Sequence, residues 1–526
     1  MNIRILTFSF SILFIFLAIL GGLLNFSFIP IADSWHKYEI VKLIQEHSYN
    51  SLLETHMEHR ILFTRILLLM DYFFFGDKQV FLIAINYLLN FLCFFLVFNF
   101  FTTLYKVSEK TKKIHFFVFL AFSFYWAQRA NLTWEFQSQF YLFVIFSLLT
   151  FRSIYRNNTY FITAFFTVCS VFTMANGILV APVVSFYFMI NKNYKRLIQS
   201  FLVLCSIYYL YFSNYQINPD LPSPIFALFE SPLEVLRFQL AFLGNIFSFM
   251  FGKGVVGLYI SCFFGLISLI IVFIKRKTVL SEPLYLFLLF IIATSFIIAI
   301  SRYHHSLLQP ISSRYTTPII FYWLLIYILI YDYLNNIFKN KISYLRLLLC
   351  ILFILLLHYQ LGALKDNSEK TLKRVIHLGL PLNKIDNFIP HMSYELFDHY
   401  INLNYGLFSQ SVIKELVFSD TSNTTLKECN SPMRNIIFEH KENYIYFSFE
   451  SIKNKLVNNK TIFPVLRDNL QIGVFSNNLK FQNISFLDFN KNMTIYGFVL
   501  SDSDNDNKEV KLINYDQNCL WNLSIK

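Results

Sequence analysis

Ile31–Arg65 reads IADSWHKYEIVKLIQEHSYNSLLETHMEHRILFTR. It contains Asp33, Glu39, Glu46, Glu54, His56, Glu58, His59 and Arg60, in a chain only 14% charged. One apolar run precedes it and a long series of apolar runs follows. So many ionisable groups between two membrane-length segments mark a loop that is wet and folded.

The chain has 526 residues, is 56% hydrophobic and has a mean hydropathy of +0.49. Soluble domains are about 25% charged, well above the value here. Runs of about 20 apolar residues recur, enough to cross a hydrocarbon core of ~30 Å. The composition points to a polytopic α-helical membrane protein. Its 64 Phe and 32 Tyr suit lipid-facing surfaces and interfacial belts.

The net charge of +12 does not mark a nucleic-acid partner. Outside the tail, the basic residues cluster between apolar runs, as topology signals do. The clusters are Lys106/Lys110/Lys112/Lys113, Arg152/Arg156, Lys192/Lys195/Arg196, Lys275/Arg276/Lys277 and Lys339/Lys341/Arg346. Two crossings fit between consecutive clusters, so all five share the cytoplasmic side with Arg4. The expected spans are 5–25, 79–104, 114–130, 137–151, 159–175, 178–191, 197–213, 254–274, 283–300, 316–333 and 343–360. About eleven crossings from a cytoplasmic N-terminus place the C-terminus outside. The external loops are then 26–78, 131–136, Asn176/Gly177, 214–253 (including the proline-rich NPDLPSP, 218–224) and 301–315. The apolar stretch 61–76 carries Arg65 and Asp71, each costing about 3 kcal/mol at mid-bilayer. It is read, with 235–252, as a helix lying in the external interface.

Past Gln360 the sequence turns polar, and 361–526 reads as an extracytoplasmic α+β domain, mainly a β-sandwich. Residues 366–405 look helical and amphipathic. From Asn435 short β-type runs (NIIFEH, NYIYFSFE, IFPVL, LQIGVFS, NISFLDF, MTIYGFVL, EVKLINY) alternate with turn formers. Of seven cysteines, five lie in apolar runs, there is no CxxC, and only Cys429 and Cys519 fall in polar sequence. Those two bracket the module and are the disulfide candidate.

Four groups of residues have chemical potential. Asp33 stands where the chain leaves its first apolar run, as a helix N-cap, a solvated carboxylate or a catalytic base. In the second group, His56, His59 and Arg60 would share one helical face while Glu58 points elsewhere. It could orient a phosphate, bind a divalent metal ion with Asp33, or simply be solvated. NLTWEFQSQF supplies Trp134, Glu135 and Gln137, an aromatic face with hydrogen-bonding groups that suits sugar hydroxyls or an interfacial belt. Arg302 and Arg314 recur in Ser-Arg-Tyr contexts, the second with Tyr315, at the two ends of one loop. A guanidinium fork matches phosphate oxygens, though arginine at a helix end also snorkels.

Taken together, PIADSW, EHRILFTR, NLTWEFQSQF and SSRYTTP resemble the GT-C class of integral-membrane glycosyltransferases. The likeness covers about residues 1–360, as a catalytic membrane domain. It is one of pattern, similar to bacterial enzymes that modify O-antigen and other surface glycans. The resemblance implies a polyprenyl-phosphate sugar donor, a glycan or lipid-linked acceptor, and inverting transfer at the outer face of the inner membrane. It implies Asp33 as base and Arg314 at the donor phosphate, with Glu58, Trp134, Glu135 and Gln137 lining the pocket. The loop has one Asp where some relatives have a pair, which leaves a divalent metal ion open. Two rivals are an O-antigen-type polymerase, whose large external loop would lie between helices, and a lipid-linked sugar flippase, which would show inverted repeats and midplane polar sites.

Overall fold

The computed structural model describes residues 3–27, 29–213, 215, 228–252, 254–338, 342–364, 399–400 and 403, with eight strands between 427 and 524. The proline-rich loop 218–224, NISFLDF, Cys429 and most of 366–405 lie outside the described residues. The chain divides into two compact units. The first comprises Met1–Phe26, Leu43–Leu69 and Val80–Lys365; the second comprises Ser27–Lys42, Met70–Gln79 and Asp366–Lys526.

Where side chains are described, the chain is 83% helical and has no strand. Among the described residues five helices are long and apolar enough to cross a membrane: Arg4–Asn25, Val80–Leu104, Glu135–Tyr155, Val255–Ile274 and Pro283–Arg302. The expected eleven spans are therefore corrected to five among the described residues, because hydropathy registers apolar runs and not helix ends. Tyr160–Val171, with 12 residues, reaches only about 18 Å at ~1.5 Å per residue. Thr316–Leu329, with 14 residues, also falls short of ~30 Å. The 114–130 run is cut at Ser123, where Glu109–Ser123 ends. Tyr194–Phe212 is long enough at 19 residues but opens on Lys195 and Arg196, too polar to qualify.

Side chains from distant segments satisfy the backbone at these breaks. Gln360, fully buried, accepts from the Trp126 N–H at 2.7 Å and donates to the Phe14 and Phe124 carbonyls. Apolar surroundings force this, since unpaired peptide groups there cost several kcal/mol each. The helices pack through aromatic contacts such as Phe94–Phe116 at 5.1 Å and Phe143–Phe290 at 4.9 Å. Pro232–Leu243 approaches Val255–Ile274 at backbone distance. A Cβ on Gly265 would collide with the Leu240 carbonyl, and one on Gly244 with that of Ser261. Gly244, Ser261 and Gly265 are the small residues that permit it.

The second expectation to fall is the sandwich. The C-terminal strands are β1 (Lys427–Glu428), β2 (Met433–His440), β3 (Tyr444–Ser451), β4 (Phe463–Arg467), β5 (Leu470–Ser476), β6 (Met493–Leu500), β7 (Glu509–Asn514) and β8 (Cys519–Ser524). They pair in one sheet, ordered β1-β8-β7-β4-β5-β6-β3-β2, not in two packed sheets. Every pairing is antiparallel except β1 with β8. Alternating β-type runs specify strands; which strands share a sheet depends on pairing that alternation does not encode.

Within the second unit Lys37, Asp71 and Asp77 are all fully buried. The Lys37 ammonium lies 3.3 Å from Asp71 and also pairs with Asp77, which accepts from the Tyr38 hydroxyl at 2.7 Å. Tyr400 stacks edge-on against Tyr38 at 4.9 Å and donates to its carbonyl. Asp77 and Gln79 hold left-handed φ of 58° and 63° to turn the chain at this point.

Candidate functional site

The loops of the first unit gather into two sets. At one end, Asn191 donates to the Leu280 carbonyl and Arg196 to that of Asn158. At the other, Glu58 meets Arg302, His59 accepts from the Ala175 N–H, Arg60 reaches Tyr211 and Ser213, and Ser313 accepts from the Ala130 N–H. The second set contains the chemistry.

Glu58 and His59 come from a turn, not a helix, which corrects the expected shared face of His56, His59 and Arg60. His56 and His59 exchange backbone hydrogen bonds of 2.7 and 2.9 Å around Met57 and Glu58. Met57 takes a left-handed φ of 51°, a conformation that a non-glycine residue adopts at some cost. Glu58 and His59 consequently face the same neighbours. Arg60 turns away, donating to the carbonyls of Leu53, Tyr211 (2.9 Å) and Ser213 (2.6 Å). Each of its three nitrogens donates to a backbone carbonyl, so it braces the turn.

Arg302 closes its helix and pairs through one nitrogen with one Glu58 oxygen. The same oxygen lies 3.6 Å from His59 Nε2. Arg314 lies 5.1 Å from the Tyr315 ring centroid and 3.5 Å from its hydroxyl, which also faces Arg302. The two Ser-Arg-Tyr arginines thus meet at one phenol. Tyr315 is buried and packs against Phe242 at 5.2 Å. His305, stacked on His304 at 4.2 Å, feels Arg302, Arg314 and Glu58.

Burial works to raise the Glu58 carboxyl, but His59 and Arg302 outweigh it and hold the group below its ordinary value. Burial and the two arginines lower His59 below its own ordinary value. Its Nδ1 accepts the Ala175 N–H at 3.3 Å, a bond that imidazolium cannot keep. That bond leaves Nε2, the nitrogen that faces Glu58, as the one that carries a proton.

The 129–139 loop is stitched to the arginine loop. Asn131 donates to the Arg314 carbonyl at 2.8 Å and to Thr317 at 2.7 Å, and Ser313 donates to the Ala127 carbonyl at 2.6 Å. Asn245 fixes the same loop from the helix Asn245–Ser248, donating to Pro310 and Ser312 and accepting from Thr316. His56 packs on Phe136 at 5.3 Å, joining the Glu58 turn to this loop. Trp134, whose carbonyl accepts from Asn86, packs beside Ile61, Leu68, Leu82 and Phe136. Glu135 and Gln137 are buried, and the carbonyl oxygens of Gln137 and Asn131 have no protein donor among the described residues.

Glu58, His59, Arg302, Arg314 and Tyr315 thus form one cluster. Asp33 belongs to the second unit. It is half-buried in the 3-10 turn Ala32–Trp35, its carbonyl accepting from the His36 N–H, and is preceded by Ala32 at φ 46°. Sequence reading missed Asn86, Asn245, Ser313 and Thr317 as positioning groups. Asn86 and Asn245 could have been found as polar residues isolated in apolar runs. No group of three or more His, Cys, Asp or Glu able to hold a metal occurs among the described residues.

Chemically, two guanidiniums with one carboxylate make a site of net positive charge, open to solvent on the Arg302, His304 and His305 side. No family model matches this chain, and no curated protein or solved structure matches it at a significant level.

Proposed function

We propose that this chain is a membrane glycosyltransferase of the GT-C kind. It moves a sugar from a polyprenyl-phosphate donor to a glycan or lipid-linked acceptor. The observation that carries the reading is the meeting of Arg302 and Arg314 at Tyr315, beside Glu58. Guanidinium forks suit a lipid phosphate leaving group, whose developing charge they would neutralise in the transition state. The membrane-length helices support a donor that lives in the bilayer. The buried amide oxygens of Asn131 and Gln137 suit sugar hydroxyls, because an acceptor left without a donor costs about 1–3 kcal/mol.

In this reading Glu58 takes the acceptor hydroxyl's proton. The acceptor oxygen bonds to the anomeric carbon, and the sugar–phosphate bond breaks with its electron pair leaving on the phosphate. The configuration inverts. We place the site on the extracytoplasmic face of a bacterial inner membrane, with the N-terminus cytoplasmic, because Arg4 opens the first membrane-length helix, Arg4–Asn25, and the Glu58 turn follows it. The span count that put the C-terminus outside no longer supports that location.

The test is transfer by purified protein from a panel of polyprenyl-phosphate hexoses, with Glu58→Gln and Asp33→Asn alongside. Loss in Glu58→Gln supports the base assignment; loss in Asp33→Asn alone moves the base to the second unit. Donor movement across liposomes without transfer would refute the enzyme reading in favour of a flippase.

A further inference from the structure

Four features of the Glu58 turn bear on how the site is controlled. The carboxylate contacts Arg302 through a single nitrogen, not a two-pronged fork. The pair is partly open, with the Glu58 and Arg302 side chains 31% and 25% exposed. The turn tip is strained at Met57, whose side chain is 67% exposed. Arg314 pairs with no carboxylate among the described residues.

We infer that Glu58 is a latch. Its carboxylate occupies Arg302 as a surrogate anion until the single charge of a phosphate diester displaces it. The inference rests on the phosphate reading of the site and adds its regulation. A carboxylate locked on a guanidinium is a weak base, since its charged form is stabilised. When phosphate takes Arg302, Glu58 loses that partner and becomes more basic. The base is thus switched on only when the leaving group is bound, which guards the donor against premature hydrolysis. One oxygen changes partners and no proton moves until the acceptor hydroxyl gives one up.

The groups facing Glu58 are His59 on its own turn, Arg302, His305, Tyr211 and Tyr215, with Arg314 behind His59 and His304 stacked on His305. Glu58→Gln retains every one of these groups, so its comparison with wild type separates their effect from the latch.

The experiment measures binding of inorganic phosphate and of dihexyl phosphate to the purified full chain in detergent, between pH 4 and 8. The diester keeps one charge throughout, so its arm isolates the protein's titration, and the two ligands distinguish a free anion from a lipid headgroup. The latch requires Glu58→Gln to bind the diester about tenfold more tightly at pH 7, as removal of a competing ion pair should. It also requires the wild-type affinity to climb more steeply than the variant's as pH falls through Glu58. Equal or weaker binding by Glu58→Gln overturns the latch and leaves the phosphate site standing. Absence of binding in both proteins removes the site and the latch together. The wild-type titration needs no variant to fold: a flat or falling affinity towards low pH also overturns the latch.

Discussion

Replacing Lys37 with Met tests whether the second unit is held by a buried charge cluster. Lys37, Asp71 and Asp77 are each fully buried, with Lys37 bridging the two carboxylates. Met fills similar volume, so the change is mainly electrostatic. Removing one partner of a buried pair costs about 3–5 kcal/mol, or about 10 °C in melting temperature for a unit this size. The deficit should depend on pH. Burial raises Asp71 above its ordinary value against the pull of Lys37; without Lys37 it rises further. A carboxyl raised in the folded state costs stability as pH climbs through its folded pKa and nothing well below its unfolded value of about 3.9. Lys37 is itself raised despite burial, because both aspartates hold it charged. Its contribution is full below about 10.4, constant across the test range, and lost only as pH rises through its folded value. Thermal unfolding in detergent at pH 5, 6.5 and 8 should therefore show Lys37→Met worst at pH 8 and partly recovered at pH 5. Adding Asp71→Asn should restore more than half the loss. A deficit under ~1 kcal/mol, or one that does not vary with pH, would refute the reasoning.

Arg65→Met should cost about 3 kcal/mol, seen as an earlier melt, because its buried guanidinium donates to the carbonyls of Ser51, Leu52 and Glu54. Gly265→Leu should abolish the folded species in size-exclusion chromatography, since even a Cβ there meets the Leu240 carbonyl. Asn245→Ala should weaken donor binding with little loss of helix content, by freeing the Pro310 and Ser312 carbonyls that shape the arginine loop. Unchanged binding in that variant would show that the loop holds itself.

The apolar runs and the paired Ser-Arg-Tyr arginines were legible because each is a local pattern. The helix ends were not. Trp126 is held by Gln360, 234 positions away, so the end of the 114–130 run is set by a partner that hydropathy cannot register. The His56–Arg60 turn was misread for a related reason. A tight turn advertises itself with glycine or asparagine at its left-handed position, and here Met57 occupies it. Lys37 carries no local signal in a stretch whose many ionisable groups read as wet. Its partners lie 34 and 40 positions on, and only the fold reveals that the charge is buried. The same distance effect hid Asn245, whose contacts are 65 to 71 positions away.

The central claim is that Arg302 and Arg314 receive the phosphate of a lipid-linked sugar. Single-turnover transfer from a polyprenyl-phosphate hexose, with donor affinity measured in parallel, tests it on wild type, Arg302→Met and Arg314→Met. Arg314→Met should lose at least about a hundredfold in rate, the scale of removing one preorganised charge stabiliser. Arg302→Met should lose both rate and affinity, with melting temperatures unchanged in each. Wild-type rates and affinities in both variants would contradict the claim.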